Sequence, residues 1–128
     1  MTPSARRVLV VDDEEPLLKL MDRYLTRAGY EVDACGLAEE AWRLFSDRDS
    51  AYDVVVVDLS LPDLPGDALL ERMRRLRPQA AAVICSGMPA PGECDTAAGR
   101  TRYLQKPFLP GMLLEAVEAA ANASAPPG

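Results

Sequence analysis

Apolar positions along this chain follow two alternating rhythms. Short, β-branched runs give way to longer stretches with apolar residues three and four apart. Arg7-Val8-Leu9-Val10-Val11 is a compact run ending in acids, which reads as a buried parallel strand. Glu14-Glu15-Pro16 then suits the first turn of a helix. Leu17, Met21, Tyr24, Leu25 and Ala28 continue it at helical spacing, and Gly29 stands where a C-cap glycine belongs. Tyr30 to Cys35 alternates like a short strand, and Leu37, Ala41, Leu44 and Phe45 mark a second helix. Val54-Val55-Val56-Val57 is the strongest strand signal. Its unbroken apolar character predicts a central position covered on both faces.

A Pro/Gly-rich turn follows, then Leu69, Leu70, Met73 and Leu76 predict a third helix with Pro78 just past its end. Ala80 to Cys85 is a fourth strand and Arg102-Tyr103-Leu104 a short fifth. Leu109, Leu113, Leu114, Val117, Ala120 and Ala121 form a last helix, with Pro110 near its first turn. Residues 123–128 are rich in Pro and small residues and read as a disordered tail or linker, leaving residues 1–122 as one domain. Strand-helix alternation of this kind predicts an α/β fold, a doubly wound parallel sheet with helices on both faces. Right-handed crossovers leave few topologies. Ligands on such sheets sit at the carboxyl ends of the strands.

Composition narrows the function. The chain of 128 residues is about half apolar but has few aromatics, so its core must be built mostly from Val, Leu and Ala. A net charge of −6 argues against nucleic acid or anionic membrane as a partner. Arg72, Arg74, Arg75 and Arg77 form a local basic cluster, which on a helix reads as a solvated face. Cys35, Cys85 and Cys94 are odd in number and form no CxxC pair, which fits reduced thiols and a cytoplasmic location. Position in the fourth strand predicts that Cys85 is buried. There is no histidine, so the commonest metal ligand and general base is missing. The Val8–Val11 run is far too short for a signal segment, and no stretch approaches transmembrane length.

Chemistry collects at the strand ends. The first strand ends in Asp12-Asp13, the third in Asp58, the fourth in Ser86, and Lys106 follows the fifth. Three carboxylates converging on one sheet edge repel one another unless they are neutralised. A hard divalent cation with oxygen ligands solves this, and magnesium leaves room for a phosphate oxygen. One lysine offsets part of the charge and is better placed as the partner of an incoming anion. A carboxylate can attack phosphorus to give an aspartyl phosphate, a reaction that needs positioning and electrostatics more than proton transfer. Taken singly, each residue has a plainer reading: Asp12-Asp13 a helix cap, Asp58 a strand end, Ser86 a turn, Lys106 a surface lysine, Tyr103 core packing. Their joint placement is what points to a site.

At these residues the sequence resembles the receiver domains of bacterial response regulators, the family of the chemotaxis regulator CheY. The motifs are Val10-Val11-Asp12-Asp13-Glu14, Val57-Asp58-Leu59-Ser60-Leu61-Pro62 with Gly66, Ser86-Gly87, and Tyr103-Leu104-Gln105-Lys106-Pro107-Phe108. The resemblance runs from Arg7 to about Ala121. It implies a flavodoxin-like five-stranded sheet of order 2-1-3-4-5. It makes Asp58 the phosphoacceptor in a two-component phosphorelay. Asp13, Asp58 and the backbone carbonyl of Ser60 would bind Mg2+ directly, with Asp12 acting mostly through water. Lys106 would pair with the phosphoryl group, Ser86 would donate to one of its oxygens, and Tyr103 would change rotamer as the domain switches. A cis peptide before Pro107 would aim Lys106.

The implied partner is a histidine kinase or histidine phosphotransfer protein. The domain would be a phosphorylation substrate, with self-catalysed phosphorylation and slow autodephosphorylation, rather than a turnover enzyme. One departure stands out. The segment between Ser86 and Lys106 is short and holds Pro89, Pro91, Gly92 and Gly99, where the family carries its fourth helix. A short, distorted or mobile helix is expected there. That oddity motivates an alternative, a phosphorylation-independent interaction module on the same fold. An aspartate-nucleophile phosphatase is disfavoured, because those enzymes carry a second acid two residues after the nucleophile and this chain has Ser60.

Overall fold

The apolar runs become strands β1 (Arg7–Val11), β2 (Glu31–Cys35), β3 (Val54–Asp58), β4 (Ala81–Ser86) and β5 (Thr101–Gln105). The longer periodic stretches become helices α1 (Glu15–Arg27), α2 (Ala38–Ser46), α3 (Gly66–Leu76) and α4 (Pro110–Ser124). This computed structural model describes residues 6–47, 51–88 and 100–124. All strand pairings are parallel, in the order β2-β1-β3-β4-β5. The doubly wound α/β sheet expected from the sequence is therefore the fold. The irregular helix expected between β4 and β5 falls on residues 89–99, outside the described residues.

Strand alternation sorts the core into two layers. Val8, Val10, Val54 and Val56 point to the face covered by α1 and α4, where Met21, Leu25, Leu113 and Val117 meet them. Leu9, Val11, Val55 and Val57 point to the opposite face, against Phe45 of α2 and Leu69 and Met73 of α3. Both faces of β3 are covered, which is why its sequence has no polar position before Asp58. Cys85 is buried as expected, and burial pushes its thiol up to about 12.

Helix ends follow local rules where local partners exist. Gly29 has a φ of 99°, open to glycine without strain. Its N–H donates to the Thr26 carbonyl and the Tyr30 N–H to the Leu25 carbonyl, the paired bonds that close a helix with a left-handed residue. Helix α4 runs to Ser124, two residues into the stretch expected to be tail. Asn122 and Ala123 lie within its last turn. Residues 125–128 lie outside the described residues.

Three leucines assigned to helix faces by spacing are exposed: Leu37, Leu76 and Leu109. Leu37 and Leu109 precede the first turns of α2 and α4, and Leu76 is the last residue of α3, so all three stand clear of the sheet. The arginine cluster is occupied within the molecule. Arg72 lies over the Trp42 ring at 4.1 Å, Arg74 donates to the Ala80 carbonyl and the Thr101 hydroxyl, Arg75 pairs with Glu71, and Arg77 donates to the Phe45 carbonyl. No helix among the described residues is long and apolar enough to cross a membrane.

Candidate functional site

Parallel strands present all their carboxyl ends at one edge, so residues far apart in sequence meet there. Asp12 and Asp13 follow β1, Asp58 ends β3, Ser86 ends β4, and Lys106 follows β5 by one residue. Ligand oxygens of Asp12, Asp13 and Asp58 all lie within 4.8 Å of one another. Asp12 and Asp58 are buried, while Asp13 is exposed. A cleft of about 660 Å³ opens over them, lined by Asp13, Asp58, Ser60 and Lys106, with Leu17 and Phe108 among its apolar walls.

Among the described residues, Lys106 is the ammonium that meets these carboxylates. Its Nζ donates to Asp12 at 2.9 Å and to Glu14 at 3.2 Å, and stands 3.5 Å from Asp58. Burial pushes the Asp12 carboxyl above its ordinary range, and the Glu14 N–H and Lys106 only partly offset this. Burial would lower the Lys106 pKa, but the hydrogen bond and charge of Asp12, then Asp58 and Glu14, outweigh it and raise the pKa. The ammonium therefore stays charged. Two full negative charges 4.8 Å apart repel by about 3 kcal/mol at an effective dielectric near 20. Three carboxylates, Asp12, Glu14 and Asp58, surround that ammonium and Asp13 adds a fourth beside them, so the site has an excess of negative charge that a further cation would offset.

The donor set tests which cation fits. Among the described residues every candidate ligand is oxygen, the cluster is open to water on the Asp13 side, and burial keeps the nearby Cys85 a protonated thiol. Hard oxygen donors with room for water and a phosphate suit magnesium and do not suit zinc or copper.

Smaller contacts set the loops. The Ser60 N–H donates to Asp58 at 3.2 Å, folding the backbone after β3 back over the carboxylate. The Ser86 hydroxyl accepts from the Met88 N–H at 3.1 Å, so it is turned toward the Gly87-Met88 backbone. Tyr103 is not brought to the carboxylates. It is half-buried against Leu70, Ala82 and Ile84, beside α3. The Lys106–Pro107 peptide is cis.

Two residues of consequence escaped the sequence reading. Spacing makes Glu14 a helix first-turn acid, but its carboxylate holds Lys106. Asp63 stands in no motif, yet its two carboxylate oxygens accept the Ala38 and Glu39 N–H groups, both at 2.9 Å. It thereby caps α2, whose own N-cap residue, Leu37, has no side chain able to do so. A hint was present: an acid in the turn after β3, and a helix beginning with no Ser, Thr, Asp or Asn before it.

Comparison with known proteins agrees with this geometry. Residues 8–118 match the family model described as response regulator receiver domain. The two-component response regulator ARR11 of Arabidopsis thaliana is 46% identical over 72 residues, which are 56% of this chain and 14% of that protein. The DNA-binding transcriptional regulator NtrC of Azospirillum brasilense is 32% identical over 126 residues, 97% of this chain and 26% of that protein. The chain thus spans about a quarter or less of these curated relatives. Among solved structures, a CheY-like receiver domain protein of Methanospirillum hungatei JF-1 matches with a TM-score of 0.80 at 27% identity, covering 94% of this chain and 97% of that one. A response regulator receiver protein of Sinorhizobium medicae WSM419 also gives 0.80, at 29% identity, covering 94% and 98%.

Proposed function

Because this chain belongs to the response regulator receiver family of two-component signalling, we propose that it accepts a phosphoryl group on Asp58 and switches conformation in response. The observation that supports this best is the trio Asp12, Asp13 and Asp58 with Lys106 within reach of two of them. Asp58 is the nucleophile. One of its oxygens bonds to phosphorus as the phosphorus–nitrogen bond of a donor phosphohistidine breaks, and the electron pair leaves with the imidazole. Asp13, Asp58 and the Ser60 carbonyl are the residues that would hold Mg2+ directly, with Asp12 behind them. When bound, the ion supplies positive charge that offsets the carboxylates and the charge developing on the phosphoryl oxygens.

Lys106, 3.5 Å from Asp58, would add an ammonium beside the transferred group. Ser86 keeps a hydroxyl proton to donate, since its contact with Met88 uses only an acceptor lone pair. Turning toward the phosphoryl group would commit the hydroxyl to a second state. Contacts made in only one state shift a pre-existing equilibrium. Tyr103, packed on the α3 side of β5, is the element we assign to follow that shift.

The donor is a histidine kinase or histidine phosphotransfer protein, and the domain is its substrate rather than a turnover enzyme. Buried free thiols at Cys35 and Cys85 suit the reducing cytoplasm. The test is intact mass after treatment with magnesium and acetyl phosphate, beside Asp58→Asn. A phosphate-sized gain in wild type alone is expected. No gain, with beryllofluoride also failing to bind, would overturn the reading.

A further inference from the structure

Lys106 is already surrounded before any phosphate arrives. An ammonium has three N–H donors, and three carboxylates stand around this one: Asp12 at 2.9 Å, Glu14 at 3.2 Å and Asp58 at 3.5 Å. Only the first two are hydrogen bonds, so a phosphoryl oxygen on Asp58 that draws the ammonium toward itself lengthens one of them. Asp12 is a poor candidate, because its side chain is only 1% exposed and would be left as an unpaired buried charge. Asp58 carries the incoming group itself. Glu14 is 61% exposed, so water replaces Lys106 at little cost when that contact opens. Among the described residues its carboxylate makes no capping bond to α1, although it occupies the N-cap position.

We infer that Glu14 is the exchange partner of Lys106, holding the ammonium in the resting state and yielding it to the phosphoryl group. This deepens the proposed function and rests on it. Glu14 is a positioning residue, acting through Lys106. The resting Glu14–Lys106 contact opposes phosphorylation by the free energy needed to open it. An exposed pair of this kind is worth a factor of about two to five.

Simple repulsion between Glu14 and an anionic donor would act in the same direction. Two variants separate the causes. Glu14→Gln removes the charge. Glu14→Asp keeps the charge but shortens the side chain by roughly 1.5 Å, one carbon–carbon bond. At the N-cap position, Asp is also drawn to the open amides of α1 and away from Lys106.

The experiment measures two quantities at saturating magnesium for wild type and both variants. The first is the rate of phosphorylation by acetyl phosphate, read by intact mass. In that reaction an Asp58 oxygen bonds to phosphorus, the bond from phosphorus to the acetyl oxygen breaks, and acetate leaves with the electron pair. The second is the dissociation constant of beryllofluoride, read by fluorine NMR. Exchange predicts that both variants react about two- to five-fold faster and bind beryllofluoride tighter by a similar factor. The gain should shrink as added salt screens the pair. If Glu14→Asp matches wild type while Glu14→Gln is faster, repulsion is the cause and exchange is wrong. Equal rates and affinities for all three proteins would also overturn it. If wild type takes neither phosphate nor beryllofluoride, the receiver chemistry itself fails, and this inference falls with it.

Discussion

Gly66, the first residue of α3, lies directly against the backbone of Asp58. A Cβ built on Gly66 would stand 2.1 Å from the Asp58 carbonyl oxygen and 2.9 Å from the Leu59 Cα. The contact is held by a hydrogen bond from the Gly66 N–H to the Leu59 carbonyl at 3.0 Å. Helix α3 therefore starts pressed against the turn that carries Asp58, and only a residue without a side chain allows that approach.

Gly66→Ala should move the turn rather than be absorbed, because the opposing atoms are backbone. Overpacking of this kind costs about 1–3 kcal/mol. Urea denaturation should show a lower midpoint at unchanged slope, and phosphorylation of Asp58 should slow. A midpoint equal to wild type would mean that the turn can retreat freely.

Asp63 ties the same turn to α2. The Glu39 and Ala38 N–H groups hold its carboxyl below the ordinary value of 3.8. A carboxylate whose folded pKa is depressed contributes stability above its unfolded value and loses it as the pH falls through the folded one. Asp63→Ala should therefore lower the thermal midpoint at pH 7, on the order of 4 °C. The gap between wild type and variant should close as the pH drops below about 4. Thermal melts at pH 7 and pH 3 check this. The same gap at both would show that the carboxylate charge does not matter to the cap.

Lys106 is expected to support stability as well as chemistry. Lys106→Met would leave Asp12, 1% exposed, facing Asp58 without a cation. Breaking a partly buried pair from one side should cost about 2 kcal/mol in metal-free buffer. Removing a positive charge also strengthens the site's attraction for another cation. Magnesium should then raise the urea midpoint of the variant more than that of wild type. Equal gains would show that the lysine and the cation do not share one electrostatic field.

The elements of this fold are legible residue by residue because their cause is local. Four consecutive valines can be buried on both faces only in a central strand, and Val54–Val57 occupy one. Spacing placed Met21, Leu25, Leu113 and Val117 on buried helix faces for the same kind of reason. It failed at Leu37, Leu76 and Leu109, because periodicity does not say where a helix outruns the sheet that covers it.

The sequence by itself determined the strand-helix order, the doubly wound class and the positions of Asp12, Asp13, Asp58, Ser86 and Lys106 at strand ends. Each of these follows from neighbours in the chain. Tertiary structure decided what those side chains touch. Glu14 meets Lys106 across 92 positions, and Asp63 reaches back 25 positions to the amide of Ala38. Gly66 is required by the Asp58 backbone rather than by its own turn. Such contacts depend on which strands lie side by side and in what register. Composition and periodicity carry no record of that, because hydrogen bonds and ion pairs act over a few ångströms of space, whatever the distance along the chain.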